Sequence, residues 1–195
     1  MKNLISLLTI TLFFLSFTIV HQQFSNYKVN NDFTVKIKGT SNVHDWVSTV
    51  ENLSGSASIS FSENGDIRID ECQVSIPVKS IKSSKGSIMN KKTWKALKLR
   101  SNPNIEYRLT SFENVVKTGN NFTANVTGKL SIAGENQWIN MNVNGKQLNN
   151  GGVEIIGSKE LKMTDFNIDP PTALMGTMTT GNEITIEFRI ILDNE

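Results

Sequence analysis

His44, Asp45 and the serines around them are the residues of this chain whose types could do acid–base or nucleophilic chemistry. An imidazole activates a hydroxyl when a carboxylate holds its other nitrogen, so a hydrolase could be assembled from that set. Those residue types occur together in nearly any chain, however. No GxSxG elbow, HExxH helix or Gly-rich phosphate loop accompanies them. His21 falls in or next to an amino-terminal apolar run, leaving His44 as the only other histidine, and Cys72 is the sole cysteine. One of each cannot supply the usual zinc or haem spacings. Paired carboxylates such as Glu183 and Glu187 lie on the polar side of a strand pattern and read as solvated. The expectation is therefore a protein without catalytic residues, metal or cofactor.

Charge is the next chemical signal. The chain carries a formal net charge of only +2, but its basic residues are unevenly spread. No acidic residue separates Glu71 from Glu106. That interval holds Lys79, Lys82, Lys85, Lys91, Lys92, Lys95, Lys98 and Arg100. Such clustering suggests an anionic partner. Aromatic interleaving is limited to Trp94, which argues against nucleic acid. Within 86–100, GSIMNKKTWKALKLR, Met89, Trp94 and Leu97 are expected to share one helical face, with Lys92, Lys95 and Lys98 along another. Asn102-Pro103 is expected to end this helix. Its lysines read either as a solvated face or as contacts to an anionic head group or membrane surface.

The first residues give an address. Lys2 precedes an apolar stretch with only Ser and Thr among it, reaching Val20. Its length suits the hydrophobic region of a secretory signal. Residues 1–23 are read as that signal, with an uncleaved anchor as the alternative because the cleavage site is weak. Residues 24–195 are then one domain. The expected location is periplasmic or secreted. A single cysteine rules out an internal disulfide framework, so stability must come from a core.

Most of the remainder alternates apolar and polar residues. Phe33, Val35 and Ile37 begin the series; Ala57, Ile59 and Phe61, then Cys72, Val74 and Ile76, continue it. Ile105, Tyr107 and Leu109, Phe122 to Ile132, Met141 and Val143, Val153 and Ile155, and Ile184 to Ile190 complete it. Period two reads as half-buried antiparallel strands, separated here by turn clusters at 63–66, 118–121, 134–136 and 149–152. About eight strands with mostly short connections suggest a sandwich or a barrel. A barrel is favoured because it leaves no open edge and can enclose one small ligand.

Two stretches stand apart. Residues 162–181, KMTDFNIDPPTALMGTMTTG, fit neither strand nor helix, because Pro170 and Pro171 break both. The stretch is unusually apolar for a loop, with Met163, Phe166, Ile168, Leu174, Met175 and Met178. Long loops of this kind are often lids or binding loops. The other is GTSNVHDW, from Gly39 to Trp46. It reads as a structural corner with Trp46 plugging a barrel end, or as a polar handle (His44) and an apolar wall (Trp46) for a ligand cavity.

Four blocks in order resemble the YceI-like family of secreted bacterial lipid- or polyisoprenoid-binding proteins. They are FTVKIKGTSNVHDW, IMNKKTWKALKLRSNPNIEYRLTSF, GKLSIAGENQWINMNV and the 162–181 stretch with its following strand. The resemblance implies an all-β, lipocalin-like eight-stranded antiparallel β-barrel with a short helix between strands. It implies an interior that holds an isoprenoid or similar long amphiphile, with no cofactor and no catalysis. The GTSNVHDW corner departs from the plainer strand that many members carry there. On this reading Trp46, Met89, Trp94, Phe166, Leu174 and Met175, with His44, are expected to wall the cavity. Lys92, Lys95 and Lys98 are expected to meet an anionic head group or membrane. The alternative is an envelope barrel filled by its own side chains. The oligomeric state stays open, a homodimer included.

Overall fold

The alternating segments pair into one antiparallel sheet that closes on itself. The computed structural model describes residues 23–173 and 176–195. The expected signal, Leu174 and Met175 therefore lie outside the described residues. In chain order the strands are β1 (Ser25–Val29), β2 (Thr34–Ser41), β3 (Trp46–Val50), β4 (Ser54–Phe61), β5 (Ile67–Pro77) and β6 (Ile81–Ser83). The helix α1 (Ser87–Ala96) follows. Then come β7 (Asn104–Thr118), β8 (Asn121–Ile132), β9 (Glu135–Gln147), β10 (Val153–Lys162), β11 (Thr172–Ala173) and β12 (Met178–Asn194).

Hydrogen bonding runs β1-β4-β5-β7-β8-β9-β10-β12 and returns to β1, which makes an eight-stranded ring. A branch, β2-β3-β6, grows from β12 between Thr180 and Arg189. The expected barrel is thus present, with a second row of strands completing the wall at one end. There the space between β6 and β7 is covered by α1. No helix among the described residues is long and apolar enough to cross a membrane.

β8 shows why these residues make strands. Phe122, Ala124, Val126, Leu130 and Ile132 are buried, while Asn121, Thr123, Asn125 and Lys129 between them are exposed. Period two sends one set into the barrel and the other to water. β5 needs a correction to stay in phase. Its pairing with β4 shifts between Ser58 and Ile59, so an extra residue sits in the Asp70–Glu71 region. Ile67 and Ile69 face inward before this bulge, and Cys72, Val74 and Ile76 do so after it. At the β8–β9 turn, Ala133 (φ 54°) and Gly134 (φ 91°) both adopt left-handed backbone, the requirement of the tightest hairpins.

Two expectations change. The helix stops at Ala96, well before Asn102-Pro103. Lys98 turns left-handed (φ 53°), Lys98 N–H donates to Lys95 O (3.0 Å) and Leu99 N–H to Trp94 O (2.9 Å). That paired closure ends a helix without proline, here with lysine where glycine is usual. The 162–181 stretch is also less irregular than expected. Its first residues form a 3-10 turn, Met163–Phe166, and β11 pairs with the start of β12 through Thr172↔Thr179 and Ala173↔Met178. It is a hairpin folded over the barrel end.

Candidate functional site

The barrel interior is a cavity rather than a packed core. Two voids, of about 190 Å³ and about 180 Å³, share Ile37, Ile81, Ile105, Ile132 and Ile186 in their walls. Together they fall in the range of ligand pockets, roughly 300–1,000 Å³. The deeper void is walled by side chains such as Val126, Leu130, Met141, Ile155, Phe188 and Ile190, and among the described residues Lys159 is the only charged one there. The outer void opens between α1, the 40–46 corner and the hairpin after β10.

Aromatic rings are kept out of the centre by glycines. Phe188 lies across Gly157, Phe122 across Gly145, Trp46 across Gly39 and Tyr107 across Gly128, each ring occupying the space that a Cβ would need. Three of these are direct cross-strand partners: Phe188 with Gly157, Phe122 with Gly145, and Trp46 with Gly39. A ring laid along the sheet covers backbone and leaves the axis open.

The mouth is assembled from three elements. On α1, Met89, Lys92, Thr93 and Ala96 face it, the i, i+3, i+4, i+7 stripe of a helix. Trp94 does not line it, contrary to expectation. At five residues from Met89 it sits about 140° further round the helix. There its Nε1 donates to Ile81 O (3.0 Å), and Lys82 Nζ lies 4.8 Å from its ring centre. Trp94 therefore anchors the helix to β6, helped by Asn90 Oδ1, which accepts from Ser83 N–H (2.7 Å). Lys95 is exposed and Lys98 lies beyond the helix, so of the three lysines only Lys92 reaches the mouth.

The 40–46 corner supplies His44 and Trp46. Ser41 Oγ donates to His44 O (2.6 Å) and accepts His44 N–H (3.1 Å). Asn42 ties the corner to the strand opposite: its Nδ2 donates to Thr177 O (2.8 Å), and its Oδ1 accepts Thr179 N–H (3.0 Å). Trp46 Nε1 donates to Thr40 O (3.0 Å). The His44 Nδ1 lies 2.9 Å from Asp45 O. The Ser41 hydroxyl is thus bonded to backbone. From the third element come Phe166, buried at 2% exposure, with Met163, Ile168 and Met178. The structure thus gathers His44, Trp46, Met89, Lys92 and Phe166 around one opening.

Ionisable groups in and around the voids are few. Among the described residues no carboxylate lines the mouth; Lys85, Lys92 and His44 are the ionisable residues there. Deeper in, burial pushes the Cys72 thiol up to about 11. Burial also raises the Tyr107 phenol well above its ordinary range, with the neighbouring Cys72 adding to it. Tyr107 Oη is buried without a hydrogen-bond partner. A larger concavity, about 1040 Å³, lies on the outer face of β9, β10, β12 and β2. Its lining mixes charged side chains, Lys38, Glu160, Lys162 and Glu183, with apolar ones, Trp138, Ile139 and Leu161. Pattern reading missed the isoleucines shared by both voids as wall residues, because alternation marks them only as inward.

A family model described as a YceI-like domain matches residues 14–192. Among solved structures, the chain is similar to Burkholderia cenocepacia BcnA at 20% identity and a TM-score of 0.64, over 84% of this chain and 98% of that one. It is similar to a polyisoprenoid binding domain from Saccharophagus degradans, implicated in plant cell wall breakdown. That match has 12% identity and a TM-score of 0.69, over 89% and 100% of the two chains. A Campylobacter jejuni YCEI protein matches at 17% identity and a TM-score of 0.57, over 76% and 84%. No curated protein sequence matches.

Proposed function

The chain belongs to the YceI-like family, and from that premise we propose that it binds an isoprenoid-type or other long-chain amphiphilic lipid without transforming it. The observation that carries this reading is the apolar lining of two adjoining voids inside the barrel, with Lys159 the one charged residue among the described residues of the deeper wall. Each buried CH₂ contributes about 0.8 kcal/mol, so roughly ten enclosed carbons offer about 8 kcal/mol before ordering costs. No polar constellation is needed for such affinity. Methionines at the opening, Met89, Met163 and Met178, suit a chain with many conformers. The polyisoprenoid binding by the Saccharophagus degradans relative supports the ligand class.

The head group sits at the mouth, where Lys85 and Lys92 face it with no carboxylate among the described residues to oppose an anion. The protein works in the periplasm or outside the cell, a reading supported by the apolar run that ends near Val20. There it carries or stores its lipid, and the lysine-rich segment meets anionic membrane. Native mass spectrometry and organic extraction of protein purified from its own envelope test the proposal. A co-purifying lipid that rebinds saturably is the expected result. Empty protein with no saturable affinity for prenyl lipids would leave only a barrel without cargo.

A further inference from the structure

The barrel wall is parted between β9 and β10. These strands pair from Val153↔Gln147 to Gly157↔Val143 and no further. Residues 135–142 of β9 continue on β8 to the end, and residues 158–162 of β10 continue on β12, but they do not pair with each other. Two strand edges therefore face one another unzipped inside an otherwise closed ring. Closed barrels normally abolish such edges, because unpaired backbone groups invite foreign strands.

Lys159 explains the parting. It follows Val153, Ile155 and Gly157 on the inward register of β10, and Leu161 comes next. Were the ladder to continue, Lys159 would face Met141 across the pair and its ammonium would be shut into apolar surroundings. No carboxylate among the described residues pairs with it. An isolated charge is costly to bury, and an inward-pointing charge is a recognised device against strand zipping. Its long stem instead runs through the wall. Lys159, with Ile139 and Leu161, lines both the deep interior void and the outer concavity. At the upper end one hydrogen bond spans the gap, Gln137 Nε2 donating to Asp165 O (2.6 Å) in the Met163–Phe166 turn.

We propose that this seam is a lateral portal, kept from zipping by Lys159 and latched by Gln137 on Asp165, through which the hydrocarbon chain of an amphiphile passes sideways between the interior and the outer concavity. The proposal rests on the lipid-binding reading. Tail-first entry at the mouth exposes the whole chain to water before any of it is covered, at about 0.8 kcal/mol per CH₂. Sideways entry covers each methylene as it leaves its donor surface. The head group meanwhile stays in water.

The test is exchange of a dansyl-tagged farnesyl probe between the purified protein and phosphatidylcholine vesicles. Lys159→Met keeps the stem and removes the charge, so release slows about tenfold. Backbone amides of residues 138–142 and 158–161 gain hydrogen-exchange protection in the same variant. Gln137→Ala removes the latch and speeds release about fivefold, with equilibrium affinity within twofold of wild type. Saturable probe binding with wild-type exchange rates in both variants would overturn the portal and leave the binding reading intact. No saturable binding by the wild-type protein would overturn both.

Discussion

The ring of Phe188 lies across Gly157, its direct partner in the β10–β12 ladder, and a Cβ on that glycine would stand 2.5 Å from Cζ. Gly157 cannot take a side chain while the ring stays where it is. Gly157→Val would lift the ring from the wall into the void. We expect a loss of about 1–3 kcal/mol in denaturant unfolding, the usual cost of overpacking. Lipid capacity should fall with it, read as a lower saturating amount of probe. A variant of wild-type stability and capacity would show that the ring has room elsewhere.

Tyr107 makes the opposite prediction. Its hydroxyl is buried and unpaired above Gly128. A buried group without a partner costs about 1–3 kcal/mol. Tyr107→Phe in the lipid-free protein should therefore raise stability by about 1 kcal/mol, measured by urea unfolding. Destabilisation would mean that the hydroxyl has a bonding partner.

Cys72 sets an alkaline limit. Burial disfavours the thiolate and pushes the thiol up to about 11, from 9.0 when unperturbed. The folded pKa is raised, so this contribution is complete below pH 9.0 and is lost as pH rises towards about 11. Cys72→Ala should flatten that part of the stability–pH curve. In the native protein at pH 8 the thiol should react with a disulfide reagent far more slowly than in denaturant.

The lysines are separable by position. Replacing Lys92, Lys95 and Lys98 together by Gln should weaken binding to anionic vesicles, most clearly at low salt. Lys92→Gln alone, at the mouth, should account for most of any loss in affinity for an anionic prenyl probe. Exposed Lys95 should affect only the vesicle term. Equal effects of both single changes on the probe would remove the head-group role of Lys92.

Strand alternation made the barrel legible, since residues such as Phe122 to Ile132 could be sorted to two faces by parity alone. The bulge near Asp70 was not legible, because an inserted residue leaves no mark except that Ile69 and Cys72 fall out of phase. His44, Trp46, Met89 and Phe166 stand out in the sequence by apolar or aromatic character in irregular or helical segments, and all four line the outer void. Trp94 was misplaced by composition: helical angle puts it beside β6, and its indole N–H needed the Ile81 carbonyl. The seam leaves almost no trace in the sequence. It is an absence of pairing between two strands that each look complete, and only Lys159, a charge in an inward position, hints at it.

β12 has one further consequence. It pairs with β10 along one edge, and along the other with β2 and then β1. Every route round the barrel passes through it, yet it follows all the other strands in the chain. A ribosome releases the staves of this cask in order and the closing stave last. Until then β1 and β10 have no neighbour between them, and the lining lies open to any chaperone. Closure joins Lys28 to Asp193 across the length of the domain, a non-local step of the kind that folds in milliseconds to seconds rather than microseconds. A channel that threads extended chain would meet this protein before it has become a container.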